Sequence, residues 1–191
     1  MDDIVKQAMA KWPNVPDCYG WLGLDARGNW YMRDDPCQRA GTFNSGLPGA
    51  KGAELKHEKL RAFIERNYAC DARGCWYFQN GPQRVFVELE QTPWIWRIHA
   101  GGEVRSHTGQ AATVQSALSD EQGHLYLATD MGIGLVHAQD MWDASELLEK
   151  TVWPLEHLVQ ANLDMRYGYV RSPQAASISA AVPEPGKKKP G

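Results

Sequence analysis

Four cysteines and six histidines are the side chains in this sequence with the most obvious capacity for nucleophilic or metal chemistry. Cys70 and Cys75 flank a short Asp-x-x-Gly segment, close enough along the chain to suggest a disulfide or half of a zinc site. Register argues against both. A three-residue hairpin loop places Cys75 opposite Asp71, so Cys70 faces the core and Cys75 the other way; a two-residue loop that aligned them would need positive φ at both Ala72 and Arg73. Cys18 and Cys37 bracket another hairpin without Cys-x-x-Cys spacing, and all four are expected as free thiols. His99, His107, His124 and His137 lie on or beside alternating segments, and would form a metal or general-base site only by converging on one face. Their spacing predicts isolated, solvent-facing imidazoles, with His57 on the polar side of a helix. Glu88, Glu90, Asp34 and Asp35 are candidate acids and bases, but charged residues on an alternating strand ordinarily form its wet face. There is no nucleophile elbow, phosphate loop, dinucleotide fingerprint or His-Glu-x-x-His helix. No catalytic residue, metal site or cofactor is therefore assigned.

The elements that position these residues are announced by a repeat. Leu24-Asp25-Ala26-Arg27-Gly28-Asn29-Trp30-Tyr31-Met32 is echoed by Cys70-Asp71-Ala72-Arg73-Gly74-Cys75-Trp76-Tyr77-Phe78 and by Ser119-Asp120-Glu121-Gln122-Gly123-His124-Leu125-Tyr126-Leu127. Asp at the first position of a type I turn caps the backbone, and Gly three residues later takes the left-handed conformation of a G1 bulge. Each copy is thus a hairpin, with Leu24 opposite Trp30, Leu22 opposite Met32, and Tyr68, Cys70, Trp76 and Phe78 sharing a face. Trp30, Trp76 and Leu125 are sent into a common interior. Tyr31, Tyr77 and Tyr126 fall on the opposite face, and with Trp21, Arg33 and Arg27 they make an aromatic surface rimmed by arginine, suited to contact with a protein or a small ligand. A helix packed on that face would instead make the tyrosines a second core layer.

The third copy continues as Ala128-Thr129-Asp130-Met131-Gly132-Ile133-Gly134-Leu135, and this hairpin resembles the blade motif of the periplasmic sensor propellers of two-component regulators. Propellers need about four blades, and the glycine-rich loop and helix between the first two copies depart from a blade, so a propeller is not the expected fold. Lys11-Trp12-Pro13-Asn14-Val15-Pro16 and Tyr19-Gly20-Trp21-Leu22-Gly23-Leu24-Asp25-Ala26-Arg27-Gly28 together resemble an uncharacterised family of proteobacterial proteins. That resemblance implies no particular activity.

Helical spacing predicts helices over Asp2 to Trp12 and about Ala53 to Arg66, the second preceded by a mobile glycine-rich loop from Gly41 to Gly52. Asp143 with Glu146 resembles a capping box for a helix that Pro154 stops, followed by a short helix through Leu155, Leu158 and Val159. Hairpins are expected near residues 20 to 33, 67 to 79, 84 to 107 and 116 to 138. The expectation is a single α+β domain over residues 1–171, an antiparallel sheet built from repeated hairpins with flanking helices, and a disordered tail over 172–191. A net charge of −3 gives no field that would draw the chain onto nucleic acid or an anionic bilayer. No apolar run is long enough to cross a membrane, and the acidic start is unlike a secretory signal, which predicts a cytoplasmic protein. Two functional readings follow: a non-catalytic binding module using Tyr31, Tyr77, Tyr126, Trp21 and Arg33, with a protein, a small ligand or a second copy as partner, or a small enzyme or metal protein using His and Cys near the hairpin loops.

Overall fold

A computed structural model describes residues 1–150 and 153–181. Helix α1 (Asp3–Lys11) leads into the first hairpin, β1 (Cys18–Leu24) and β2 (Trp30–Met32). Then come α2 (Asp35–Ala40), β3 (Ala53–Glu54), α3 (Glu58–Arg66), β4 (Tyr68–Cys70), β5 (Trp76–Asn80) and β6 (Gln83–Leu89). The second half runs β7 (Trp94–Ile98), β8 (Val104–Ser106), β9 (Ala111–Ala112), β10 (Val114–Ser119), β11 (Leu125–Thr129) and β12 (Gly132–Val136). It ends with α4 (Met141–Glu149), β13 (Leu155–His157), α5 (Leu163–Tyr167) and α6 (Pro173–Ala181).

The three Asp-x-x-Gly turns form as their chemistry requires. Asp25, Asp71 and Asp120 each accept two backbone N–H bonds at 2.8–3.0 Å on one carboxylate oxygen, from the residues two and four positions on. The glycine N–H of each turn bonds back to the aspartate carbonyl. Register follows: Leu24 opposes Trp30, Cys70 opposes Trp76, and Ser119 opposes Leu125. A fourth copy lacks the aspartate. His99 and Gly102 make the same two backbone bonds between β7 and β8 without a carboxylate to announce them.

Four meanders therefore build two sheets, in the orders β3-β2-β1-β6-β5-β4 and β13-β10-β11-β12-β7-β8-β9. Leaving aside β13 and reading from β9, the second order is the first with each strand number raised by six. The sheets are mixed rather than purely antiparallel: β1 runs parallel to β6, β12 to β7 and β10 to β13. Turns dictate antiparallel pairing only between chain neighbours, whereas the meanders meet through strands separated by long excursions. The hairpin expected over 84–107 is split for the same reason, since β6 and β7 belong to different sheets. These orders are those of two sheets, so the likeness of one hairpin to a propeller blade does not extend to the fold.

Between the sheets lies one apolar cluster that includes Trp30, Phe78 and Leu89 from the first and Trp94, Leu125 and Leu127 from the second, with half-buried Trp76 packed against it. The outer face of the first sheet is covered as well. The glycine-rich loop lays Phe43 against it, so closely that a Cβ on Gly23 would collide with the phenyl ring. Rather than hanging free, this loop is pinned by Asn44, whose Nδ2 donates to the Leu89 carbonyl at 2.8 Å, and by Lys51 Nζ on Glu90. Helix α6 covers the neighbouring area; Glu88 accepts from Ser172 Oγ at 2.5 Å and from the Gln174 N–H at 3.0 Å. Glu88 is thus buried, not part of a wet face.

Further differences have local causes. Ala53–Glu54 pair with β2 as an edge strand, and α3 starts only after His57, whose Nδ1 accepts from the Leu60 N–H. Leu155–His157 are claimed by β10 as a strand instead of forming a helix. The stretch expected as a disordered tail opens with α6, stabilised by its contact with β6; residues 182–191 lie outside the described residues. No described helix is long and apolar enough to cross a membrane.

Candidate functional site: an apolar cleft beside helix α3

Leu22, Met32, Phe78 and Val85 share one face of the first sheet through the pairings Leu22 with Met32 and Phe78 with Val85. Helix α3 presents Leu60 and Ile64, four residues apart and so on one helical face, over the same area. Helix and sheet do not close completely. They leave a cleft of about 340 Å³, lined also by Cys18, Trp21 and Asn80. Trp21 reaches its mouth because the β1–β6 register shifts between Cys18 and Leu22. Trp21 is 41% exposed and Met32 52%, which places two large apolar side chains in water at the rim. None of the nine lining residues is charged. Burial pushes the Cys18 thiol above its ordinary range, so it stays protonated and is a poor nucleophile. The cleft can hold apolar matter.

The five residues expected to form one aromatic surface are dispersed. Trp21 alone is at the cleft. Tyr31 is half-buried on the outer face beneath the loop, 5.9 Å from the Phe43 ring, with Lys51 Nζ 5.0 Å from its centroid. Tyr77 lies half-buried against Phe86, with the Arg84 guanidinium 5.5 Å from its ring. Tyr126 is wholly buried in the second sheet and donates its hydroxyl to Asp120 at 2.9 Å, so it presents nothing to a partner. Arg33 is buried too. Its Nε donates to the Ala50 carbonyl at 2.8 Å, Nη1 to Gly20 at 3.2 Å and Nη2 to Gly41 at 2.6 Å, clamping the glycine-rich loop to the sheet.

The histidines also depart from expectation, since His137 is buried and His107 is half-buried with its Nε2 enclosed. The cysteines are free, but Cys70, expected to face the core, is exposed because β4 is the terminal strand of its sheet, and it is Cys75 that is buried. Among the described residues no group of three or more His, Cys, Asp or Glu side chains could hold a metal ion.

A family model described as "Protein of unknown function (DUF2946)" and designated DUF2944 matches residues 1–174. The chain belongs to this family. No curated protein matches the sequence. Two solved structures are similar to this DUF2944 member: a DUF1285 family protein from Silicibacter pomeroyi DSS-3, at 10% identity and a TM-score of 0.46 over 77% of this chain and 85% of that one, and another from Shewanella baltica OS155, at 12% and 0.43 over 66% and 91%. In the DUF2944 chain the helical period of Leu60 and Ile64 was a usable signal for one wall of the cleft. Cys18, Met32 and Asn80 carried none, because a gap between a helix and a sheet has no period in the sequence.

Proposed function

We propose that the protein is a non-catalytic binding module that takes a small, uncharged, largely apolar molecule into the cleft beneath α3. The observation that carries this reading is a concave space of about 340 Å³ with apolar walls, two polar side chains and an exposed tryptophan at its mouth. Small-molecule sites are typically apolar hollows of about 300–1,000 Å³ with a few polar groups that fix orientation, a part that falls to Asn80 in this cleft. The volume suits a small molecule or a single side chain rather than a helix. Four free thiols fit a reducing, cytoplasmic setting.

N-phenyl-1-naphthylamine, an uncharged fluorescent probe, provides the test. Its emission should rise saturably at one molecule per chain, and Met32→Glu, which puts a charge at an already exposed rim position, should weaken binding about tenfold with an unchanged circular dichroism spectrum. Non-saturable emission, or a variant that binds as tightly as the parent, would remove the reading.

A further inference from the structure

A second cleft, of about 430 Å³, lies where the first sheet's hairpin loop meets the second sheet, and it differs from the first in chemistry. Its lining is Arg27, Asn29, Arg97, His137, Ala138 and Gln139. We infer that this cleft is a binding site for an oxyanion, the phosphate or carboxylate group of a small molecule. Three donor side chains support the assignment.

Arg27 is exposed at the tip of the hairpin, and its guanidinium has no hydrogen bond or ion pair among the described residues. The loop beneath it is held by Asp25, whose carboxylate is spent on the backbone N–H groups of Arg27 and Asn29 and on Asn29 Nδ2. Arg97 is fixed by its fork on Asp140, with Nε donating at 2.6 Å and Nη2 at 3.0 Å. That pairing leaves Nη1 for a ligand and orients the planar group. Asp140 also accepts the Ile98 N–H, so its own charge is directed inward, and no acid lines the cleft. His137 Nδ1 accepts from the Gln139 N–H at 3.1 Å, which puts the proton of the neutral ring on Nε2 and makes that atom a donor. Burial, then the Arg97 charge, lowers the His137 pKa, against the opposite pull of Asp140 and Asp25. The shift favours the neutral ring. Two guanidinium groups and one imidazole N–H, contributed by both sheets, can meet the oxygens of one anion.

Amide and side-chain N–H spectra of the intact, isotope-labelled protein should be followed during titration with inorganic phosphate and, in a second arm, with acetate, sodium chloride holding the ionic strength constant. Saturable shifts at His137, Gln139 and Arg27 in either arm support the site, and the tighter arm names the group. Arg27→Gln should weaken that binding about tenfold while leaving naphthylamine binding at the other cleft unchanged. If neither anion saturates above the chloride control, or if the variant binds like the parent, the assignment fails.

Discussion

His107 shows how far one side chain's surroundings can depart from its place on an alternating strand. Its Nδ1 accepts from the Ile95 N–H at 3.3 Å, so its proton sits on Nε2, which is buried and has no hydrogen-bond partner among the described residues. The rings of Trp30, Tyr68 and Trp94 surround it at centroid distances of 5.6, 5.9 and 5.8 Å. Burial pushes its pKa from 6.5 down to about 3, despite the opposite pull of Asp25. A histidine depressed in this way contributes fully to stability above the pKa of the unfolded chain, and the contribution is lost as pH falls from about 6.5 toward 3, because only the unfolded state binds the proton in that window. Between pH 7 and pH 5 the loss from this one residue should be about 2 kcal/mol, at about 1.4 kcal/mol per unit. Urea denaturation at the two pH values measures it. His107→Asn keeps an acceptor for the Ile95 N–H and has nothing to titrate, so its loss over the same interval should be smaller by that amount. An equal loss in both proteins would show that the ring is not the titrating group.

The turn is the element-scale unit, and its cost of substitution depends on what it docks against. Gly74 and Gly123 hold the same place in their hairpins, with φ of 80° and 82°. A Cβ on Gly74 would strike the Gly168 carbonyl, whereas nothing lies within 4 Å of one on Gly123. Gly123→Ala should therefore cost about 1 kcal/mol, the left-handed penalty alone. Gly74→Ala should cost about 3 kcal/mol, because the Val170 N–H bond to the Gly74 carbonyl ties the two segments together and backbone must move. Paired thermal melts would check the difference, and equal costs would contradict the docking of residues 168–170. The same contrast explains what was legible in the sequence. Hairpin registers were readable because an aspartate cap and a left-handed glycine act within five residues. At residues 100–102 the glycines announced a turn but not its likeness to the other three, because the backbone bonds form there without the carboxylate. Glu88 alternates like a solvent-facing residue, and only Ser172 and Gln174, more than eighty positions away, bury it. Trp21 was readable as an exposed aromatic, but the cleft it guards depends on how α3 rests on the sheet.

At the scale of the molecule, the repeated meanders raise the question of whether each half, built on one sheet, folds alone. The packing argues that neither does. The aromatic box around His107 takes Trp30 and Tyr68 from the first half and Trp94 from the second, and Tyr68 donates its hydroxyl to the Pro93 carbonyl at 3.1 Å. Trp76 meets Trp94 at 5.0 Å, again across the boundary. Separated halves would expose these rings and leave an inner sheet face unmatched, a loss of apolar burial that small units cannot offset. Leu89 also donates its N–H to the Arg171 carbonyl, and Arg171 reaches back to the Glu90 carbonyl, so the end of the described chain closes over the first half. Fragments 1–91 and 92–181, each produced alone, should give collapsed amide spectra and no near-ultraviolet dichroism. The intact chain should lose tryptophan fluorescence and far-ultraviolet dichroism in one coincident urea transition. A well-dispersed spectrum from either fragment, or two separated transitions in the whole chain, would mean that the two sheets are independent units and that the shared aromatic box is incidental to stability.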